Sequence, residues 1–188
     1  AYSYIYHEYT NNFMGNQNGL ESMIDFHAAP DNLLYRAVYA FLAGDTFSLT
    51  LGDSGNVTWG WNAPFFDDFP ETEHLFKFMK MANKWRNSFA RKYLCFGKVL
   101  KTKPADCEKS ISFVTLDGRT LEDATVLNRR FEASDGTIAE FFVNRTFTMQ
   151  KLKLKLEENA KLYRTPEEYT SLIDEVILNP GEICCIIK

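Results

Sequence analysis

The chain has 188 residues and a mass of 21.7 kDa, enough for one ordinary domain and too few for a complete eight-stranded α/β barrel, which needs about 250. Its 45% apolar residues, among them 16 Phe, 9 Tyr and 3 Trp, supply a core and exclude a disordered chain. Twenty-one basic against 25 acidic residues leave no excess to neutralise phosphates, and no apolar run approaches the roughly 20 residues that span a bilayer, so neither nucleic acid nor a membrane is expected as a partner.

In chain order, residues 2–6 are an aromatic and β-branched run that predicts a strand, ending at His7-Glu8-Tyr9 before an Asn- and Gly-rich loop over 10–19. Residues 33–42 carry Leu34, Val38, Phe41 and Leu42 at helical spacing, with Asp31 or Asn32 as N-cap and Gly44 as C-cap. Residues 46–51 alternate Phe47, Leu49 and Leu51 with Thr46, Ser48 and Thr50, a half-buried strand closing in a turn over 52–55. The strongest periodicity runs over 71–96, where Leu75, Phe78, Met79, Ala82, Trp85, Phe89, Tyr93 and Phe96 recur every three or four residues, predicting one long amphipathic helix stopped by Gly97. Beyond the breaker-rich stretch 101–106, short runs at 111–116, 124–132, 137–144, 151–156, 174–178 and 182–187 are separated by turn signals and predict an antiparallel β-sandwich. The boundary between the two halves is placed near residue 100, giving units of 1–100 and 101–188.

Four cysteines, Cys95, Cys107, Cys184 and Cys185, are too few for a disulfide scaffold and lack metal-site spacing, so no metal is expected. The adjacent pair Cys184-Cys185 sits in a predicted strand, which points one thiol into the core and leaves the other free to be accessible. Two sequons, Asn56-Val57-Thr58 and Asn144-Arg145-Thr146, carry weight only in a eukaryotic secretory context. Dinucleotide, P-loop, serine-hydrolase and zinc-protease motifs are all missing, and no cofactor is expected.

Candidate chemistry concentrates in two places. Glu8, at a predicted strand end, is a carboxylate able to serve as acid, base or nucleophile, with His7 and Tyr9 as substrate-binding neighbours; the plainer reading is a loop that closes a strand. Asp25 and His27 are further cleft candidates. Trp59, Trp61 and Asn62 combine aromatic faces with an amide, the combination a pyranose ring requires; the alternative is that the indoles pack beneath the long helix. Asp67-Asp68 is either a hydroxyl- or cation-binding pair or a helix cap.

The order of these elements carries a resemblance. The runs Tyr6-His7-Glu8-Tyr9, Arg36-Ala37-Val38-Tyr39-Ala40-Phe41-Leu42-Ala43-Gly44-Asp45 and Lys92-Tyr93-Leu94-Cys95-Phe96-Gly97, followed by 130–144 and Leu178-Asn179-Pro180-Gly181-Glu182-Ile183, resemble the C-terminal portion of large secreted bacterial glycoside-hydrolase-like proteins. The resemblance implies a fold in which the end of a (β/α)8 barrel, with a long amphipathic helix, precedes a small antiparallel β-sandwich. It implies a secreted or periplasmic parent that hydrolyses glycosidic bonds with a pair of carboxylates, of which Glu8 is one candidate and which lies partly or wholly outside this chain. Carbohydrate is the expected partner, together with the remainder of the parent chain or another copy; one of these, or a rearranged segment of this chain, would cover the barrel strands at 2–6 and 47–51. The competing expectation is a non-catalytic carbohydrate-binding or structural interaction module.

Overall fold

A computed structural model describes residues 2–10, 12, 25, 27–48, 50–51, 53, 57–58, 72–154, 160–171 and 174–188. The elements are α1 (Tyr2–Tyr6), α2 (Asn32–Ala43), β1 (Thr50–Leu51), β2 (Val57–Thr58), α3 (Thr72–Arg86), α4 (Arg91–Leu94), β3 (Lys98–Leu100), β4 (Lys109–Val114), β5 (Thr120–Ala124), β6 (Val126–Glu132), β7 (Ile138–Asn144), β8 (Gln150–Lys153), β9 (Lys161–Tyr163), β10 (Tyr169–Ser171), β11 (Glu175–Leu178) and β12 (Ile183–Ile187).

The centre is a six-stranded sheet in the order β10-β9-β12-β7-β6-β3, accompanied by the two-stranded sheets β8–β11, β4–β5 and β1–β2. Strand periodicity assigns its two faces. On β7 and β12, Ala139, Phe141, Val143, Ile183 and Cys185 join one cluster with α2, α3 and α4, built around Phe41, Phe78, Trp85 and Leu94. The intervening Phe142, Cys184 and Ile186 join a second cluster with Leu152 of β8 and Val176 and Leu178 of β11. Each fully buried Leu or Phe in these clusters stabilises the fold by about 1.5–3 kcal/mol. Cys184 and Cys185 do point to opposite faces, but helices cover one face and β8–β11 the other, so both are wholly buried and burial raises both thiol pKa values. The outer face of β8–β11 is wet: Lys151 and Lys153 are exposed and Lys151 pairs with Glu175 at 3.4 Å.

These pairings correct the expected fold. Every strand pair among the described residues is antiparallel, whereas barrel strands are parallel and need crossovers of a dozen or more residues. Among the described residues the structure is therefore mostly antiparallel β with four helices, of which only α2 and α3, with 12 and 15 residues, exceed seven; it is not a TIM barrel fragment, and the glycoside-hydrolase resemblance falls with the barrel. Residues 2–6 form a helix instead of a barrel strand, and within the expected strand 47–51 Thr50–Leu51 pairs with Val57–Thr58, a segment of the same chain. The single helix expected over 71–96 stops at Arg86. There Asn87 Nδ2 donates to the Asn83 carbonyl, while the Ser88 hydroxyl donates to the Trp85 carbonyl at 2.6 Å and accepts the Ala90 N–H at 3.1 Å. Such local bonds compete with helix propagation, and the chain restarts as the four-residue α4.

One polar joint fastens the layers. Arg145, directly after β7, is fully buried; its Nε donates to the Ala124 carbonyl at 2.8 Å, its Nη2 to the Ser110 and Asp123 carbonyls at 2.9 Å each, and its Nη1 lies 3.4 Å from the Asp31 carboxylate. Its guanidinium also stacks 5.3 Å from the Tyr35 ring. Of the two expected caps of α2, Asp31 and Asn32, Asp31 holds the N-cap position, but its side chain makes no cap bond and faces Arg145 instead. The neighbouring Asn144 donates to the Thr148, Leu178 and Asn179 carbonyls and accepts from Thr146, so this sequon is buried within the fold. Asn56 of the other sequon lies outside the described residues. Arg145→Gln, which abandons several carbonyls in the interior, is expected to lower unfolding free energy by about 3–5 kcal/mol in urea titrations; a loss below about 1 kcal/mol, the usual range of a surface pair, contradicts the role of the joint.

Candidate functional site

The expected site around residues 7–9 is divided by the fold. His7 is buried, at 4% exposure, while Glu8 and Tyr9 face solvent, Tyr9 at 75%. His7 Nδ1 lies 2.6 Å from the Gly97 carbonyl and Nε2 lies 3.0 Å from the Leu94 carbonyl, and the ring packs on Phe131 with centroids 5.0 Å apart. A neutral imidazole donates through one nitrogen only, so the two carbonyls favour protonation, with Asp45 adding to them; burial, joined by the Arg86 charge, outweighs them and lowers the His7 pKa from its ordinary 6.5. In this position His7 acts as a tether for α1. Gly44 makes room for it: this residue closes α2 at φ +85°, and a Cβ there would lie 1.9 Å from His7 Nε2.

The other sequence candidates are dispersed. Asp25 accepts the N–H groups of His27 and Ala28 at 3.0 and 3.1 Å, which makes it a turn cap, and His27 is exposed. Trp59, Trp61, Asn62 and Asp67-Asp68 lie outside the described residues, as do most of the loop 10–19 and the turn at 52–55. No group of three or more His, Cys, Asp or Glu among the described residues is arranged to hold a metal ion.

A different set of residues forms a cleft. β6 has seven residues, but β3 pairs only with its last three, Arg130–Glu132. After Leu100 the chain leaves the sheet, so the edge of Val126–Arg129 is left open and floors a cleft of about 390 Å³, within the usual size for a small-ligand site. One wall is the segment 101–105, held to β6 by the Thr102 hydroxyl accepting the Arg130 N–H at 3.1 Å and by Asn128 Nδ2 donating to the Lys103 carbonyl at 2.9 Å. The opposite wall is Tyr4 of α1 with Tyr39 and Leu42 of α2. Both tyrosines are half exposed, at 50% and 55%, and among the described residues neither hydroxyl is hydrogen-bonded. Tyr39 occupies the outer face of α2, whose inner face buries Ala37, Val38 and Phe41.

Charge in the cleft is uneven. Arg129 alternates with Leu127 and Phe131 and so lies on the helix-covered face of β6; its Nε is buried without a hydrogen-bond partner. Lys101, in the 101–105 wall, is exposed and forms no ion pair among the described residues. Asp123, the one carboxylate among the described lining residues, already accepts from the Tyr35 hydroxyl at 3.2 Å and the Ala124 N–H at 2.8 Å. Burial, then Asp123, pushes the Tyr35 pKa up to about 12. A second cleft of about 280 Å³ beside Pro180 differs in that its Arg164 is paired with Glu182 at 2.5 Å.

Sequence reasoning passed over Tyr4, Tyr39, Lys101 and Arg129. Tyr39 at the polar side of an amphipathic helix was the available signal; the others meet only through tertiary structure. No family model, curated protein or solved structure matches the chain.

The His7 tether predicts a pH dependence. Because its folded pKa lies below 6.5, the unfolded chain takes up the proton first as pH falls; the stability His7 contributes is complete above 6.5 and is lost as pH drops through the folded value. Urea titrations between about pH 8 and 5 are expected to show a loss of stability in the native chain that His7→Gln does not show. Gly44→Ala is expected to cost more than the 1–2 kcal/mol or so of a left-handed backbone alone, because the new methyl displaces the imidazole; parallel pH profiles for native and His7→Gln proteins would remove His7 from this account.

Proposed function

We propose that the protein is a non-catalytic binding module that takes a saccharide in the cleft between the Tyr4–Tyr39 wall and the open edge of β6. The observation that carries this reading is the pairing of two half-exposed tyrosine rings with an apolar and amide-lined floor in one cleft of about 390 Å³. A sugar ring presents C–H groups on its faces and hydroxyls around its rim. Aromatic faces bind the first through dispersion, and free hydroxyls and amides the second through directional hydrogen bonds.

Binding without hydrolysis fits the carboxylates. Glycoside hydrolysis calls for two carboxyl groups flanking the bond, about 5–9.5 Å apart. Asp123 is a single carboxylate in the described lining, and both of its oxygens are engaged. The cleft also rests on a rigid floor, since β6 and β7 pair along seven consecutive residues, so little ordering is required when a ligand enters.

Calorimetric titration against a panel of oligosaccharides is expected to find binding that weakens about tenfold in Tyr39→Ala and in Tyr4→Ala, near 1.4 kcal/mol each. Both side chains are on the outside of their helices, so unfolding midpoints should stay within about 0.5 kcal/mol of native. Affinity unchanged in the double variant, or no binding across the panel, would overturn the proposal.

A further inference from the structure

We infer that the saccharide taken in this cleft is anionic, a sugar bearing carboxylate or sulfate groups that Lys101 and Arg129, both in its lining, engage. The inference rests on the saccharide reading above and specifies its chemistry. Arg129 lies on the floor, where Leu127 and Phe131 alternate with it on the helix-covered face of β6. Its Nε is buried and lacks an acceptor, and among the described residues no carboxylate pairs with it. A buried guanidinium donor is costly unless an acceptor meets it. The nearest carboxylate in the lining, Asp123, has both oxygens committed to Tyr35 and Ala124. The protein thus leaves this arginine's charge unanswered at a place where it answers Arg145 with three carbonyls and a carboxylate.

Lys101 repeats the pattern in the 101–105 wall. It is exposed, follows the end of β3, and forms no ion pair among the described residues. Four lysines on the surface are paired, Lys77 with Glu73, Lys84 with Glu167, Lys92 with Asp135 and Lys151 with Glu175; Lys101 belongs with those that are not, and what sets it apart is its place in the lining of the cleft. Two unpaired cations therefore face one cleft in a chain whose net charge is -4. The planar fork of Arg129 suits the paired oxygens of a carboxylate or sulfate, and the flexible ammonium of Lys101 adds a point charge at the mouth. Tyr4 and Tyr39 hold the ring while the two cations hold its acid group. Because the overall charge is negative, attraction is confined to the cleft and should be felt only within about a Debye length, near 8–10 Å in ordinary salt.

The test compares three oligosaccharides of equal length by calorimetry: a uronic acid oligomer, a sulfated oligomer and a neutral one. The expected result is at least about tenfold tighter binding of one or both anionic oligomers than of the neutral one, with the preference reduced by added salt. The better anionic ligand identifies carboxylate or sulfate as the source of charge. Lys101→Gln, an exposed change that leaves the sheet intact, should weaken the anionic ligand about threefold and leave the neutral one unchanged. Arg129→Lys, which keeps the charge and loses the fork, should weaken it more than Lys101→Gln does. Equal binding of neutral and anionic oligomers, or a charge preference untouched by both variants, overturns the inference while sparing the saccharide reading. Failure of all three oligomers to bind overturns both.

Discussion

The constraint on which the rest depends is that β7 and β12 are apolar on both faces. Phe141 and Cys185 lie on one side of the sheet, Phe142 and Cys184 on the other, and all four are at most 6% exposed. An antiparallel sheet often leaves one face to water; this one cannot, because either face would expose a patch far larger than soluble proteins tolerate. α2, α3 and α4 cover one side and the β8–β11 pair covers the other. Once α2 lies across the sheet with Leu34, Val38 and Phe41 inward, the helical repeat turns Tyr39 outward. The short β3 then leaves the first half of β6 uncovered. The cleft is thus a consequence of unequal strand lengths and one helix orientation.

Polar groups fix how these layers meet. Arg145 ties the end of β7 to the β4–β5 hairpin and to the start of α2, and burial raises the Asp31 pKa even though the guanidinium opposes it. Arg86 plays a lesser version of this role at the far end of α3, donating to the Asp45 carbonyl with the rest of its guanidinium buried. Removing one partner from such a joint leaves a desolvated group behind, which is why buried polar joints constrain register more sharply than apolar contacts of the same area.

Much of the local structure was legible and the global arrangement was not. The helix over 33–42 and its Gly44 stop followed from spacing, and it occurs as Asn32–Ala43 with Gly44 in the left-handed region. The Ser134-Asp135-Gly136 turn joins β6 to β7, and the Lys–Leu alternation of β8 gives one wet face. Residues 2–6 misled because aromatic and β-branched side chains favour strands only where neighbouring strands exist to pack against. Here Tyr4, Ile5 and Tyr6 are all largely exposed on a single helical turn fastened by His7. The barrel expectation failed on the same point, since it took the order of elements as evidence for parallel pairing, and order alone does not distinguish a crossover from a hairpin return. The cleft was illegible because its cations, tyrosines and floor come from residues 4, 39, 101 and 129, with no spacing rule to connect them.

The tether and the cleft are mechanically one unit. α1 has five residues, too few to be stable alone, and the His7 ring fastens it to the body of the fold through the Gly97 and Leu94 carbonyls. Tyr4 stands one turn before that ring and forms part of the cleft wall. Any ligand that contacts Tyr4 therefore binds the docked arrangement of α1 in preference to a detached one, and by linkage it stabilises docking by as much as docking improves its own affinity. The proton acts in the opposite sense, because it favours the imidazole in water over the imidazole in the core. A ligand held by Tyr4 and a proton on His7 would thus act in opposition through one buried side chain that is not part of the cleft lining.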